Sequence, residues 1–204
     1  MSNKTEITIQ VFEDISKIKT KLKHLGYKET EEFTGKDSYF STLSQAQIQK
    51  ASYKDLLSSS IIVRSFKTKG VDTLSNYMVF KNKILDEFNN VISEEKISTK
   101  VDNLENTLKI LKAAKLNNWL NLNQQNAFYK LGEVVITVGT VEGLDGSFIE
   151  IEEYKSIKDF SPEEKIDILL KLAKSLGFEV GKDYSVKKAF MLFKQQNANK
   201  ENSL

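Results

Sequence analysis

The chain has 204 residues, 40% hydrophobic and 28% charged, a composition that describes a folded globular protein and excludes a disordered one. It has no cysteine, which rules out disulfides and thiolate metal sites, and its net charge of +2 lacks the basic excess of a general nucleic-acid binder. No apolar run approaches the roughly 20 residues that span a bilayer, and the opening MSNKTEITIQ lacks the apolar core of a signal peptide, so no membrane partner is expected, the expected location is cytoplasmic, and one domain is expected.

Thr5 to Val11 alternates, with Glu6, Thr8 and Gln10 on one face and Ile7, Ile9 and Val11 on the other, and reads as a half-buried strand. A helix follows from about Glu13 to Leu25 on the stripe Ile15, Ile18, Leu22 and Leu25, with Gly26 placed as its C-terminal cap. His24, in its last turn, has no second histidine to join it and reads as a surface cation. Asp37 to Phe40 is a short extended segment after a Thr-Gly-Lys turn, and residues 41–58 are polar and irregular. Ser60 to Phe66 and Tyr77 to Ile84 are strands. The first carries Arg64, the only arginine, and the second sets Lys81 and Lys83 on the face of Tyr77 and Val79. Guanidinium holds phosphate and carboxylate bidentately as ammonium cannot, so the place of that arginine matters.

A second round of strand and helix starts near Val91, with Asp102 placed to cap a helix carrying Leu104, Leu108 and Leu111. Strands at Ala127–Lys130 and Val134–Val141 lead into VEGLDGSFIEIEEY, where a D-G pair turns the chain and strict alternation follows. Glu150 and Glu152 share one face of that strand, about 7 Å apart. A divalent cation or a polyphosphate–metal complex meets both at that distance, but an ordinary sheet with one wet face gives the same pattern. Ser161, Pro162 and Glu164 open a helix with a capping box, its apolar face running through Ile166, Leu169, Leu170 and Leu176 to a stop at Gly177. A short helix at Val186–Lys194 precedes a polar tail. The strand–helix–strands order beginning at residue 5 recurs near residue 92 and suggests two fused structural halves.

In this order the segments resemble the CYTH superfamily, named for class IV adenylyl cyclase and thiamine triphosphatase and also called triphosphate tunnel metalloenzymes, over residues 5 to 193. Of the family's opening Glu-x-Glu-x-Lys only Glu6 is kept, with Thr8 and Gln10 in the other places. Asp-x-Tyr-Phe matches Asp37, Tyr39 and Phe40; Leu-Arg-Ile-Arg appears as Ile61 to Arg64; Lys81 keeps the lysine of Thr-Tyr-Lys-Gly; and Glu95 stands for the next strand's glutamate. Lys-x-Arg becomes Gln124 and Asn126, and an expected aspartate is Gly139. The closing Gly-Leu-Gly-x-Phe-x-Glu-x-Glu is Gly143 to Glu152 with one extra residue, and Lys188 with Phe190 resembles Lys-Ser-Tyr.

The resemblance implies an α+β fold, an antiparallel CYTH-like β-barrel or tunnel of about eight strands built from two strand–helix–strands halves with helices packed outside. It implies a single domain over residues 1–194, with residues 195–204 a disordered tail. Arg64, Lys81, Lys83 and Lys188 are the implied phosphate ligands, and Gln10, Gln124, Asn126 and Tyr39 the polar contacts. Glu6, Glu150 and Glu152 are the implied ligands of Mg²⁺ or Mn²⁺. The implied partner is a phosphorylated small molecule, first of all a nucleotide, and a homodimer is a candidate assembly. Three functions stay open, the first two being metal-dependent triphosphate hydrolysis or nucleotide cyclisation, and an inactive tunnel protein that binds or sequesters a nucleotide. A protein-interaction scaffold is the third. No catalytic residue is assigned.

Overall fold

The computed structural model describes residues 4–57, 60–87, 90–178 and 183–201. In chain order these form β1 (Glu6–Val11), α1 (Ile15–His24), β2 (Lys28–Ser41), α2 (Gln45–Lys50), α3 (Tyr53–Leu57), β3 (Ile61–Thr68), β4 (Ser75–Leu85), β5 (Val91–Lys100), α4 (Leu104–Ala113), β6 (Asn117–Leu131), β7 (Val134–Val141), β8 (Ser147–Glu152), α5 (Pro162–Ser175) and α6 (Lys188–Glu201). The fold is α+β. Its eight strands make one antiparallel sheet in the order β1-β8-β7-β6-β2-β3-β4-β5. The expected repeat is present, as β1-α1-β2-β3-β4 and then β5-α4-β6-β7-β8.

The chain divides into two compact units. Unit 1 holds residues 1–33, 83–95 and 124–187; unit 2 holds 34–82, 96–123 and 188–204. In unit 1 the alternation of β1 and β8 does what the sequence suggests. Ile7, Ile9, Ile149 and Ile151 join Ile136, Val138, Ala127 and Tyr129 in one core, capped by Ile18 and Leu22 of α1 and by Ile166, Leu169 and Ala173 of α5. Thr8 pairs outward with Ser185, and Lys4 exchanges two backbone hydrogen bonds with Glu94, so β1 and β5, at opposite ends of the strand order, meet at one bridge. In unit 2 Phe40 and Val63 pack with Leu111 of α4. The opposite face carries Tyr39, whose ring lies 5.1 Å from Trp119, and Trp119 in turn meets Phe193 of α6 at 5.4 Å.

Several expectations are corrected. Thr34-Gly35-Lys36 is no turn, since β2 runs 14 residues between β6 and β3, and ladders on both sides outweigh local turn propensity. Residues 41–57 are less irregular than expected and hold α2 and α3, residue 58 lying outside the described residues. The cap of α4 is Asn103, whose side-chain oxygen accepts from Asn106 N at 2.9 Å, and not Asp102. The tail expected to be disordered from residue 195 continues α6 to Glu201, since it is rich in residues with few objections to a helix; 202–204 lie outside the described residues.

Candidate functional site: a polar sheet face and a paired arginine

Register decides which side chains meet in unit 1. Glu6 lies opposite Glu152, Thr8 opposite Glu150 and Gln10 opposite Phe148. Glu150 in turn faces Thr137, and Gly139 lies between Phe148 and Asn126. Directly opposed residues share a face. Because Ile7, Ile9, Ile149 and Ile151 are in the core, this face is the other one. It therefore gathers Glu6, Thr8, Gln10, Glu150, Glu152, Thr137, Gln124 and Asn126. Thr8, Gln124, Asn126 and Thr137 are all less than a tenth exposed, so these polar side chains are sheltered, beside Phe148, Val141 and Phe128 on the same face.

The three carboxylates share this face. Glu152 is exposed and pairs with Lys4 at 3.6 Å. Among the described residues no three acidic or histidine side chains come together as a metal site. Glu6, Glu150 and Glu152 are the residues of this face that would hold the Mg²⁺ or Mn²⁺ that the family resemblance implies, with waters and ligand oxygens completing its shell.

Each amide has a distinct setting. Gln10 Nε2 donates to the carbonyl of Asp145 at 2.7 Å and so ties β1 to the turn before β8. Asn126 lies over Gly139. A Cβ at 139 would sit 1.8 Å from Asn126 Oδ1 and 2.6 Å from the Gln125 carbonyl, so the missing aspartate has no room while this asparagine stands across from it. Gln124 is buried beside it on the same strand, opposite Val141.

The cations carry acids with them. Arg64 Nε donates to Asp37 Oδ1 at 2.7 Å and Nη2 to Oδ2 at 2.6 Å, a bidentate pair whose aspartate is 1% exposed. Lys83 Nζ is 2.7 Å from Glu94, and both side chains are largely buried. Lys81 is half-buried on the face of β4 that Tyr77 shares with Arg64, and Lys188 opens α6. Tyr39 is buried against Trp119.

Beside Glu95, which stands for a family glutamate on the resemblance, Glu94 is buried, at 7% exposure. Its burial goes with the bridge to Lys4, which joins residues 90 positions apart. Reading Asp37 as part of a motif gave no hint that it holds Arg64, since strand pairing sets that contact. Glu153, beyond the end of β8, was not singled out either. It accepts from Thr5 N at 3.0 Å and from Lys165 Nζ at 2.8 Å, a largely buried tie between α5 and the sheet.

No protein-family model and no curated protein sequence matches the chain. Solved structures do match. A "putative adenylate cyclase" from Vibrio parahaemolyticus aligns at a TM-score of 0.66 with 11% identity, over 95% of this chain and 98% of that one. The PH1012 protein of Pyrococcus horikoshii OT3 aligns at 0.64 with 22% identity, over 90% and 94%. HpAC1 from Hippeastrum, described as having a dominant triphosphatase activity, aligns at 0.62 with 16% identity, over 95% and 96%. Identities this low establish a shared fold, and a fold hosts many functions.

Proposed function

We propose that the chain is a CYTH-like protein that binds a nucleotide of low charge without turning it over, the polar face of unit 1 receiving the uncharged part of the ligand. The observation that carries this reading is the sheltered row Thr8, Gln124, Asn126 and Thr137, which shares its face with Glu6 and Glu150. Amides offer donors and acceptors that suit base edges; carboxylates and threonine hydroxyls suit ribose hydroxyls. A triphosphate brings about four negative charges, which a sheltered site holds only against cations or metals. Amides and hydroxyls neutralise none of that charge, and the carboxylates add to it. Of the phosphate ligands that the family resemblance implies, Lys83 belongs to unit 1 with this face, and Arg64, Lys81 and Lys188 belong to unit 2, where Arg64 alone has the planar fork.

The test is a melting series with AMP, cyclic AMP, ATP and inorganic tripolyphosphate, each in EDTA and in Mn²⁺. A mononucleotide at a hundred times its Kd is expected to raise Tm by roughly 5–10 °C in EDTA, and Asn126→Ala to abolish the rise. Phosphate release or cyclic nucleotide formation that Glu150→Gln abolishes would establish an enzyme and overturn the reading. If none of the four phosphates moves Tm, an interaction scaffold takes its place.

A further inference from the structure

Charge is divided unevenly between the two units. Of the chain's basic and acidic residues, unit 1 has 15 and 22 and unit 2 has 15 and 6, a net of −7 against +9. The overall +2 hides this division, and a basic half of this kind points to a polyanionic partner. One side of unit 2 joins that charge to exposed apolar side chains. Val63 of β3 packs against Leu111 of α4, and alternation carries the same face of β3 on to the exposed Lys67. The register that sets Phe66 against Ser75 brings Leu74, 59% exposed, level with Lys67. On α4, Leu104, Leu108 and Leu111 turn to the sheet and leave Ile110, 67% exposed, between the exposed Lys109 and Lys112. Just past α4, the exposed Lys115 holds a φ of 61°, where α1 and α5 are followed by glycine, so a lysine is kept there against backbone strain.

We infer that the α4 side of unit 2 docks on an anionic lipid surface, with its lysines among the headgroups and Leu74 and Ile110 entering the interface. Lysines alone suit any polyanion, so the apolar side chains decide which one. A nucleic-acid backbone gives an exposed leucine or isoleucine nothing to bury against, and single strands call for aromatic platforms. A bilayer interface takes up both the charge and the aliphatic side chain. Docking of this kind needs no spanning segment, so the lack of a long apolar run in the sequence bears only on passage through the bilayer. The inference is independent of what the polar face of unit 1 binds.

The experiment sediments the full chain at low ionic strength with vesicles of phosphatidylcholine and, separately, with vesicles holding about one third phosphatidylserine. Binding to the second kind alone, lost at high salt, is expected. Lys112→Glu and Ile110→Ser are each expected to weaken it on the order of ten-fold, the first through charge and the second through lost apolar burial. Both positions are exposed, so the fold is expected to tolerate the changes. Lys115→Gly separates docking from stability: the fold is expected to melt higher while vesicle binding weakens about five-fold. Phe12 of unit 1, 79% exposed, is the control, and Phe12→Ser is expected to leave binding unchanged. The inference is overturned if neither vesicle binds, if both bind equally, or if Lys112→Glu and Ile110→Ser leave binding unmoved. A loss on Phe12→Ser as large as that on Ile110→Ser overturns it too, as does a labelled oligothymidylate that binds where the vesicles do not.

Discussion

Asn126 and Gly139 stand directly across from each other on β6 and β7, so two departures that look independent in the sequence are one local change. On the family resemblance these are a basic and an acidic position, and the asparagine amide lies where a side chain at 139 would have to start. Gly139→Asp is expected to destabilise the chain by about 2 kcal/mol through overpacking, measured by urea unfolding. Adding Asn126→Ala should recover part of that loss, since the closest contact goes and the one with the Gln125 carbonyl stays; an unaffected single variant would contradict the geometry. This pairing was not legible beforehand, because it depends on register between strands.

Tyr129 gives a second case at the same scale. Fully buried, its hydroxyl donates to Glu29 at 2.6 Å. That bond, ahead of the nearby Lys23, holds the Glu29 carboxyl below its usual range, and burial followed by the same bond pushes the Tyr129 phenol up. A depressed carboxylate contributes stability above its unfolded pKa and loses it as pH falls through the folded value. The raised phenol contributes below its unfolded pKa and loses its share as pH rises through the folded value. Tyr129→Phe is expected to cost about 1.5 kcal/mol at neutral pH, the low end for a bond to a charged group because Glu29 is exposed. In denaturant titrations the gap from wild type should narrow as pH falls below the ordinary carboxylate range; a gap that stays constant far below that range would contradict the account.

Among the elements, α1, α4 and α5 end in the same way. In each, one residue past the last turn has a positive φ, with paired bonds closing the helix: Gly26 N to Lys23 O and Tyr27 N to Leu22 O, Lys115 N to Lys112 O and Leu116 N to Leu111 O, Gly177 N to Lys174 O and Phe178 N to Ala173 O. Two of the three positions are glycine; the third is Lys115 at φ 61°. A side chain there is disfavoured in a conformation that glycine adopts freely. Lys115→Gly is therefore expected to stabilise the protein by about 0.5–1 kcal/mol, after allowing for the freer unfolded chain, and thermal unfolding would register it as a rise in Tm. A fall would mean that the lysine side chain makes contacts worth more than the strain.

The same elements show how far local sequence reaches. The start of α5 was legible because Ser161, Pro162 and Glu164 complete its capping box within four residues, and Glu164 N and Ser161 N both find their partners. The alternation of β1 and β8 gave the correct buried face for the same reason. The lengths of β2 and β6 were not legible, because pairing on both sides carries β2 through Thr34-Gly35-Lys36 and β6 through a run of asparagine and glutamine.

For the whole molecule, one antiparallel sheet runs through two compact units. Among the described residues no helix is long and apolar enough to cross a membrane. Charge decides the functional reading at this scale. With 15 basic and 22 acidic residues, unit 1 has no net positive charge to offer an anion, and Arg64 and Lys83 each already face a carboxylate. What the polar face of unit 1 offers instead is uncharged hydrogen-bonding capacity beside carboxylates. Isothermal titration calorimetry with AMP and with tripolyphosphate, in EDTA, tests that claim most directly. Saturable AMP binding that Asn126→Ala removes, with tripolyphosphate bound more weakly, is the predicted result; binding confined to tripolyphosphate, and only when Mn²⁺ is added, would contradict it.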